Sequence, residues 1–156
     1  MEAPKKPWQS ISLNFITNLP ELEEPLTKVK YNLILIIVDR LIKYAYFLLY
    51  WKTVNTDNLV YTFLQIIMGS YGLPDEIVSD RDKLIISKFW QSLTQQLSSK
   101  HKLSTIAYSQ TDEQTEQINQ TLEQYLCCYI NYQQNNWVEL LPLAQFAYNS
   151  IKIKAT

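Results

Sequence analysis

An α/β fold, with a mixed five-stranded sheet flanked by helices on both faces, is predicted by three observations. Three strand-like runs come first with no helix between them, then helical spacing alternates with short extended runs, and the chain ends on two helical patterns. Its 156 residues suffice for one domain with a sizeable core, and a composition 47% hydrophobic and 19% charged is globular rather than disordered.

Residues 1–8 (MEAPKKPW) are polar and proline-bearing and form a linker, leaving 9–156 as the domain. From Ser10 to Leu19, Ile11, Leu13 and Phe15 alternate with Ser10, Ser12 and Asn14, the pattern of a half-buried strand. Asn18-Leu19-Pro20, followed by Glu21, Glu23, Glu24 and Pro25, marks a solvated loop. Tyr31 to Val38 is an almost continuous β-branched and leucine run, as in a central strand covered on both faces. Asp39-Arg40 ends it, and Tyr44 to Trp51 supplies an aromatic third strand. With no helix between them, these three strands are most economically an antiparallel meander.

Thr56 to Tyr71 then places Leu59, Phe63, Ile66 and Ile67 at helical spacing, with Thr56 or Asp57 as the cap and Gly72 as the stop. Pro74 leads into a short strand, Glu76 to Ser79. Ser87 to Leu97 reads as a second helix on Phe89, Trp90, Leu93 and Leu97, Lys102 to Thr105 as a fifth strand, and Ile106 to Asp112 as a polar loop. A long helix from Thr115 to about Gln133 carries Ile118, Leu122, Tyr125, Leu126, Tyr129 and Ile130 on one side and Glu116, Asn119, Gln120 and Glu123 on the other. A last helix runs from about Trp137 to Asn149, with Pro142 near its start.

The net charge is −1, with Arg40 and Arg81 the only arginines against twelve lysines, so no basic patch of the kind that grips nucleic acid unaided is evident. Adjacent Cys127 and Cys128 fit neither a disulfide framework nor a zinc site; they and the solitary His101 are expected to be packed thiols and a surface imidazole. No signal peptide opens the chain, and Leu33 to Val38, the longest apolar stretch, is too short to span a bilayer. The expectation is a soluble intracellular protein, nuclear or cytoplasmic, neither secreted nor membrane-bound.

The chemistry-bearing pair is Asp80, where the run Ile77-Val78-Ser79 ends, and Glu116, at the mouth of the long helix, with thirty-five residues between them. Two such carboxylates can hold divalent cations for phosphodiester chemistry, since hard cations take oxygen ligands. Each alone is ordinary, the glutamate as a charge at a helix N-terminus.

Flanking motifs carry a resemblance. Pro7-Trp8-Gln9-Ser10-Ile11-Ser12-Leu13-Asn14-Phe15-Ile16, Ile37-Val38-Asp39-Arg40-Leu41-Ile42-Lys43 and Tyr71-Gly72-Leu73-Pro74 with Ile77-Val78-Ser79-Asp80-Arg81 resemble the integrase catalytic core of gypsy-type LTR retrotransposons. So do Ser87-Lys88-Phe89-Trp90, Gln110-Thr111-Asp112 with Gln114-Thr115-Glu116, Asn119-Gln120-Thr121-Leu122-Glu123-Gln124-Tyr125-Leu126, and Asn136-Trp137-Val138-Glu139-Leu140-Leu141-Pro142-Leu143-Ala144. The resemblance spans the chain in order and implies a ribonuclease H-like fold. It leads to the expectation of a domain incomplete at its C-terminal end.

What it implies for function is metal-dependent DNA 3′-processing and strand transfer. In that family two Asp and one Glu hold two Mg²⁺ or Mn²⁺ ions, one activating the attacking oxygen and one stabilising the leaving oxygen. Matched by motif, the second Asp falls on Asp80 and the Glu on Glu116, the two expected metal ligands; the first Asp falls on Asn14, whose amide brings no charge. Asp39 closes a strand before a turn, an ordinary structural use. Asp82 and Glu113 stand where the family has Gly, Tyr108-Ser109 where it has His-Pro, and Gln117 and Cys127 where Arg is frequent.

By the same resemblance Tyr108, Ser109, Gln110, Asn119 and Gln120 would contact nucleic acid. The partners would be retroelement ends and target DNA, and a second copy of the core as a homodimer. The substitutions point to a fragment of impaired activity; the alternative is a catalytically inactive remnant that binds nucleic acid or protein.

Overall fold

A computed structural model describes residues 4–17, 22–23, 30–31, 33–50, 56–80, 84–99, 106–132 and 137–155. Five strands form one sheet: β1 (Ser10–Ile16), β4 (Leu33–Asp39), β5 (Ala45–Tyr50), β6 (Glu76–Ser79) and β7 (Ala107–Gln110). Two short strands, β2 (Leu22–Glu23) and β3 (Lys30–Tyr31), pair separately as an antiparallel ribbon where the sequence suggested solvated loop and the start of the central strand. The sheet order is β5-β4-β1-β6-β7. The β4 strand pairs antiparallel with both β1 and β5, giving the expected meander, while β6 and β7 add in parallel on the other side of β1.

Helices α1 (Thr56–Tyr71) and α2 (Leu84–Ser99) cover one face of the sheet, and α3 (Glu113–Tyr132) and α4 (Trp137–Ala155) cover the other. Alternation along β4 feeds both layers. Leu33, Leu35 and Ile37 pack with Leu59, Phe63, Ile67, Phe89 and Leu93, whereas Ile34, Ile36 and Val38 pack with Leu122, Leu126, Leu141 and Ala144. Gly72 ends α1 as expected: its N–H bonds to the Met68 carbonyl at 3.1 Å, and its φ of 80° is the left-handed conformation that glycine adopts without a Cβ penalty.

Three expectations need correction. The first strand is not half-buried, because all seven residues of β1 are buried, Ser10, Ser12 and Asn14 included. It is the middle strand of five, and α3 covers the face that alternation alone would have given to solvent. Secondly, Ile106 to Asp112 is not simply a loop, since Ala107–Gln110 pairs with β6 as an edge strand. Thirdly, Cys127 and Cys128 are exposed, because the buried stripe of α3 runs through Thr115, Asn119, Leu122 and Leu126 instead. The strand expected at Lys102 to Thr105, along with His101 and Asp82, lies outside the described residues.

At the opposite edge, α4 supplies what β5 lacks. The Ala45 N–H donates to Asn149 Oδ1 at 2.8 Å and the Ala45 carbonyl accepts from Asn149 Nδ2 at 2.9 Å, while the Phe47 N–H donates to Gln145 Oε1 at 2.9 Å. Side-chain amides thus stand in for a sixth strand and cover an edge otherwise open to pairing. Asn149→Ala leaves both backbone groups of Ala45 buried and unpaired, and is expected to cost about 1–3 kcal/mol in urea unfolding.

Candidate functional site

The strand ends and α3 gather a polar network around Arg40, just past β4. The Arg40 Nη1 donates to Ser10 Oγ at 2.8 Å and lies 3.4 Å from Glu76 Oε2, while Nη2 lies 3.2 Å from Asp112 Oδ2. Glu76 also accepts from Ser10 Oγ at 2.9 Å and from Ser109 Oγ at 2.6 Å. One guanidinium therefore ties β1, β4 and β6 to the start of α3, as its fixed fork of donors allows.

Asp112 is the residue before α3 and caps it: Oδ1 accepts the Thr115 N–H at 2.7 Å. That hydrogen bond first, and the charge of Arg40 as well, hold the Asp112 carboxyl below its ordinary value of 3.8. A cavity of about 280 Å³ opens beside this junction, lined by Ser12, Arg40, Lys43, Asp112, Gln114 and Thr115 among others. Asp39, at the end of β4, accepts the Trp8 N–H at 3.1 Å and the Leu41 N–H at 3.0 Å, so its use is structural. Burial pushes its carboxyl upward despite those bonds.

Asn14 lies further along the same face of β1, buried with 8% of its surface exposed. Its Nδ2 donates to Glu123 Oε1 at 2.6 Å, a contact spanning 109 residues. Asp80 follows β6 directly and is half-buried, with its Oδ1 3.4 Å from the Gln110 amide nitrogen. The parallel register pairs Ser12 with Val78, so Asp80 follows at the level of Asn14.

Glu116 is exposed on the first turn of α3, its backbone N–H bonded to the Asp112 carbonyl at 2.9 Å. Glu116 and Glu123 are seven residues apart, so at 1.5 Å rise per residue their Cα atoms are separated by roughly 10 Å along the helix axis. The α3 carboxylate brought to Asn14 is thus Glu123, two turns past the residue expected there. The sequence put Glu123 on the polar side of this helix but gave no signal for its partner.

The described residues supply no complete carboxylate set for a divalent-metal pair. Among the described residues no group of three or more His, Cys, Asp or Glu side chains is placed to hold a metal ion. At Asn14 the atom turned toward α3 is an amide N–H, a donor that cannot ligate a cation.

The five residues expected at nucleic acid do not share one surface. The Tyr108 hydroxyl meets Ser79 Oγ at 2.8 Å, and its ring stands edge-on to Trp90 at 4.9 Å, beside a groove of about 460 Å³ lined also by Ile86, Ser87 and Gln91. Ser109 points to the opposite face and binds Glu76, while Gln110 reaches Asp80. Asn119 is buried beneath α3, and Gln120 is exposed.

Against known proteins, no family model matches the chain. It is 34% identical over 152 residues, 97% of its length, to the Tf2-3, Tf2-4 and Tf2-5 transposon polyproteins of Schizosaccharomyces pombe. The chain spans about 11% of the length of those relatives. Among solved structures it is similar to the HTLV-2 integrase catalytic core domain in complex with magnesium. The trimeric form superposes with a TM-score of 0.54 at 20% identity over 90% of this chain and 84% of that one, and the dimeric form with 0.53 at 19% over 90% and 85%. The simian T-cell lymphotropic virus intasome in complex with PP2A regulatory subunit B56 gamma gives 0.55 at 15% identity, over 92% of this chain and 50% of that one. These likenesses establish the fold as that of an integrase catalytic core, ribonuclease H-like. No helix among the described residues is long and apolar enough to cross a membrane.

The opposed shifts of the two aspartates set a test. Folded Asp112 titrates below its unfolded value, so its contribution to stability is present above 3.8 and is lost as pH falls through the folded value. Asp39 runs the other way, its contribution lost as pH rises through a raised value, and it is common to both proteins compared. Asp112→Asn keeps a capping oxygen but no charge. Its stability deficit against the parent, measured by urea unfolding, is expected to be largest near neutrality and to shrink as pH falls below 3.8 through the lowered folded value.

Proposed function

We propose that the chain is the integrase catalytic core segment of a DNA-integrating LTR-retrotransposon polyprotein, with its metal-dependent 3′-processing and strand transfer impaired. Its partners on this reading are retroelement ends and target DNA. Similarity along almost the whole chain to transposon polyproteins supports the family side of the proposal. The observation that carries the impairment is the Asn14–Glu123 hydrogen bond. The residue at the position of the first ligand is neutral, and its donor is engaged by a carboxylate that belongs to no expected ligand set. Asp80 and Glu116 remain as the candidate Mg²⁺ or Mn²⁺ ligands, and two-metal chemistry depends on a complete set.

A Mn²⁺-supplemented strand-transfer or disintegration assay tests this. Product from the chain is expected to stay at the level of an Asp80→Ala control, and turnover above that control overturns the impairment.

The reading includes a homodimer through the core. Leu143, Phe146 and Ile151 on α4 are 57%, 71% and 62% exposed, large apolar side chains spread over the side of the helix away from Leu141, Ala144 and Tyr148. Exposed apolar side chains of this size support the reading of α4 as an association surface. Phe146→Lys is expected to lower the sedimentation-derived association constant at least tenfold while leaving the melting temperature of the monomer within about 2 °C.

A further inference from the structure

We infer that Asn14 and Glu123 form a metal-independent latch, a direct bond between the central strand and α3 that lets this core hold its helix in place without a cation. The inference goes beyond the DNA-joining reading and does not rest on it, since it concerns how the fold is held. Three observations converge. The Asn14 side chain is buried, so its amide needs partners inside the protein. One is Glu123 Oε1 at 2.6 Å, a hydrogen bond from the amide to a carboxylate oxygen. Lastly, Glu123 lies on α3 about three turns past its capping residue Asp112 in the Arg40 junction, so the latch and the junction fix the helix at two points.

The latch works only because residue 14 carries a donor. A carboxylate at that position has the same shape but no N–H, and would face Glu123 across a hydrogen-bond distance with like charge. Two carboxylates so placed repel unless a cation or a shared proton lies between them, and at neutral pH the shared proton is itself a cost of raising one pKa. The amide therefore does more than remove a ligand: it makes the contact favourable in the absence of metal. Glu123 is on this account a positioning residue for α3.

Melting temperature, read in excess EDTA and again in millimolar Mn²⁺, decides the matter without reference to activity. The wild-type chain is expected to melt at the same temperature in both. Asn14→Asp is expected to melt roughly 4–8 °C lower in EDTA and to recover at least half of that loss in Mn²⁺. Glu123→Ala is expected to lose a similar amount with no recovery. The double variant Asn14→Asp, Glu123→Gln moves the donor to the other partner; it should melt close to wild type in EDTA and ignore Mn²⁺. Two results overturn the latch: Glu123→Ala melting within 1 °C of wild type, or a double variant no more stable in EDTA than Asn14→Asp alone. Parallel circular dichroism on the double variant keeps the test decisive if Asn14→Asp alone does not fold.

Discussion

All seven side chains of β1 are out of water, and Ser10, Ser12 and Asn14 among them are polar. A buried polar group left unpaired costs on the order of 1–3 kcal/mol, so the middle of the sheet is stable only if neighbouring elements supply partners. They do so in a graded way along the strand. Ser10 is met by Arg40 and Glu76, which are strand neighbours, and Asn14 by Glu123, which belongs to a helix. The polar half of β1 thus fixes both where β6 begins and how α3 crosses the sheet.

The helix position then governs the chemistry available. Arg40 draws the start of α3 to the sheet through Asp112, and Glu123 anchors it again near Asn14. Between these points Leu122, together with Leu126 beyond, presses into Ile34, Ile36 and Val38, so the helix cannot slide by a turn without stranding apolar surface. Glu116 is consequently held at the Arg40 end, exposed.

Much of the fold was legible in the residues. The apolar run of β4, the Leu59-Phe63-Ile67 stripe and Gly72 each declare their element through local chemistry. What was not legible depends on neighbours far away. The β7 strand has an exposed-to-half-buried pattern, with Ala107 and Gln110 at the surface, so no hydrophobic alternation announces it; its identity comes from pairing with β6. The polar side of β1 had the alternation of a solvent-facing strand, and only the sheet order turns that face inward. Asp80, Glu116 and Asn14 could be named from motif spacing, whereas the Asn14–Glu123 contact links positions 109 residues apart and has no local signature. Arg40 carried a signal that was available: one of two arginines, placed directly after a central strand, with acidic residues at both later strand-to-helix passages.

Exchange of a carboxylate for an amide is the smallest change that separates fold from chemistry. Volume and outline are kept, so the packing of β1 against α3 is undisturbed, yet an acceptor with negative charge becomes partly a donor with none. On an exposed surface water would absorb the difference. At 8% exposure it has to be absorbed inside the protein, and Glu123 is one partner that does so. The pairing then puts one negative charge where two would stand, lowering the local need for a counter-cation. The same amide that brings no charge to position 14 supplies the donor that ties β1 to α3.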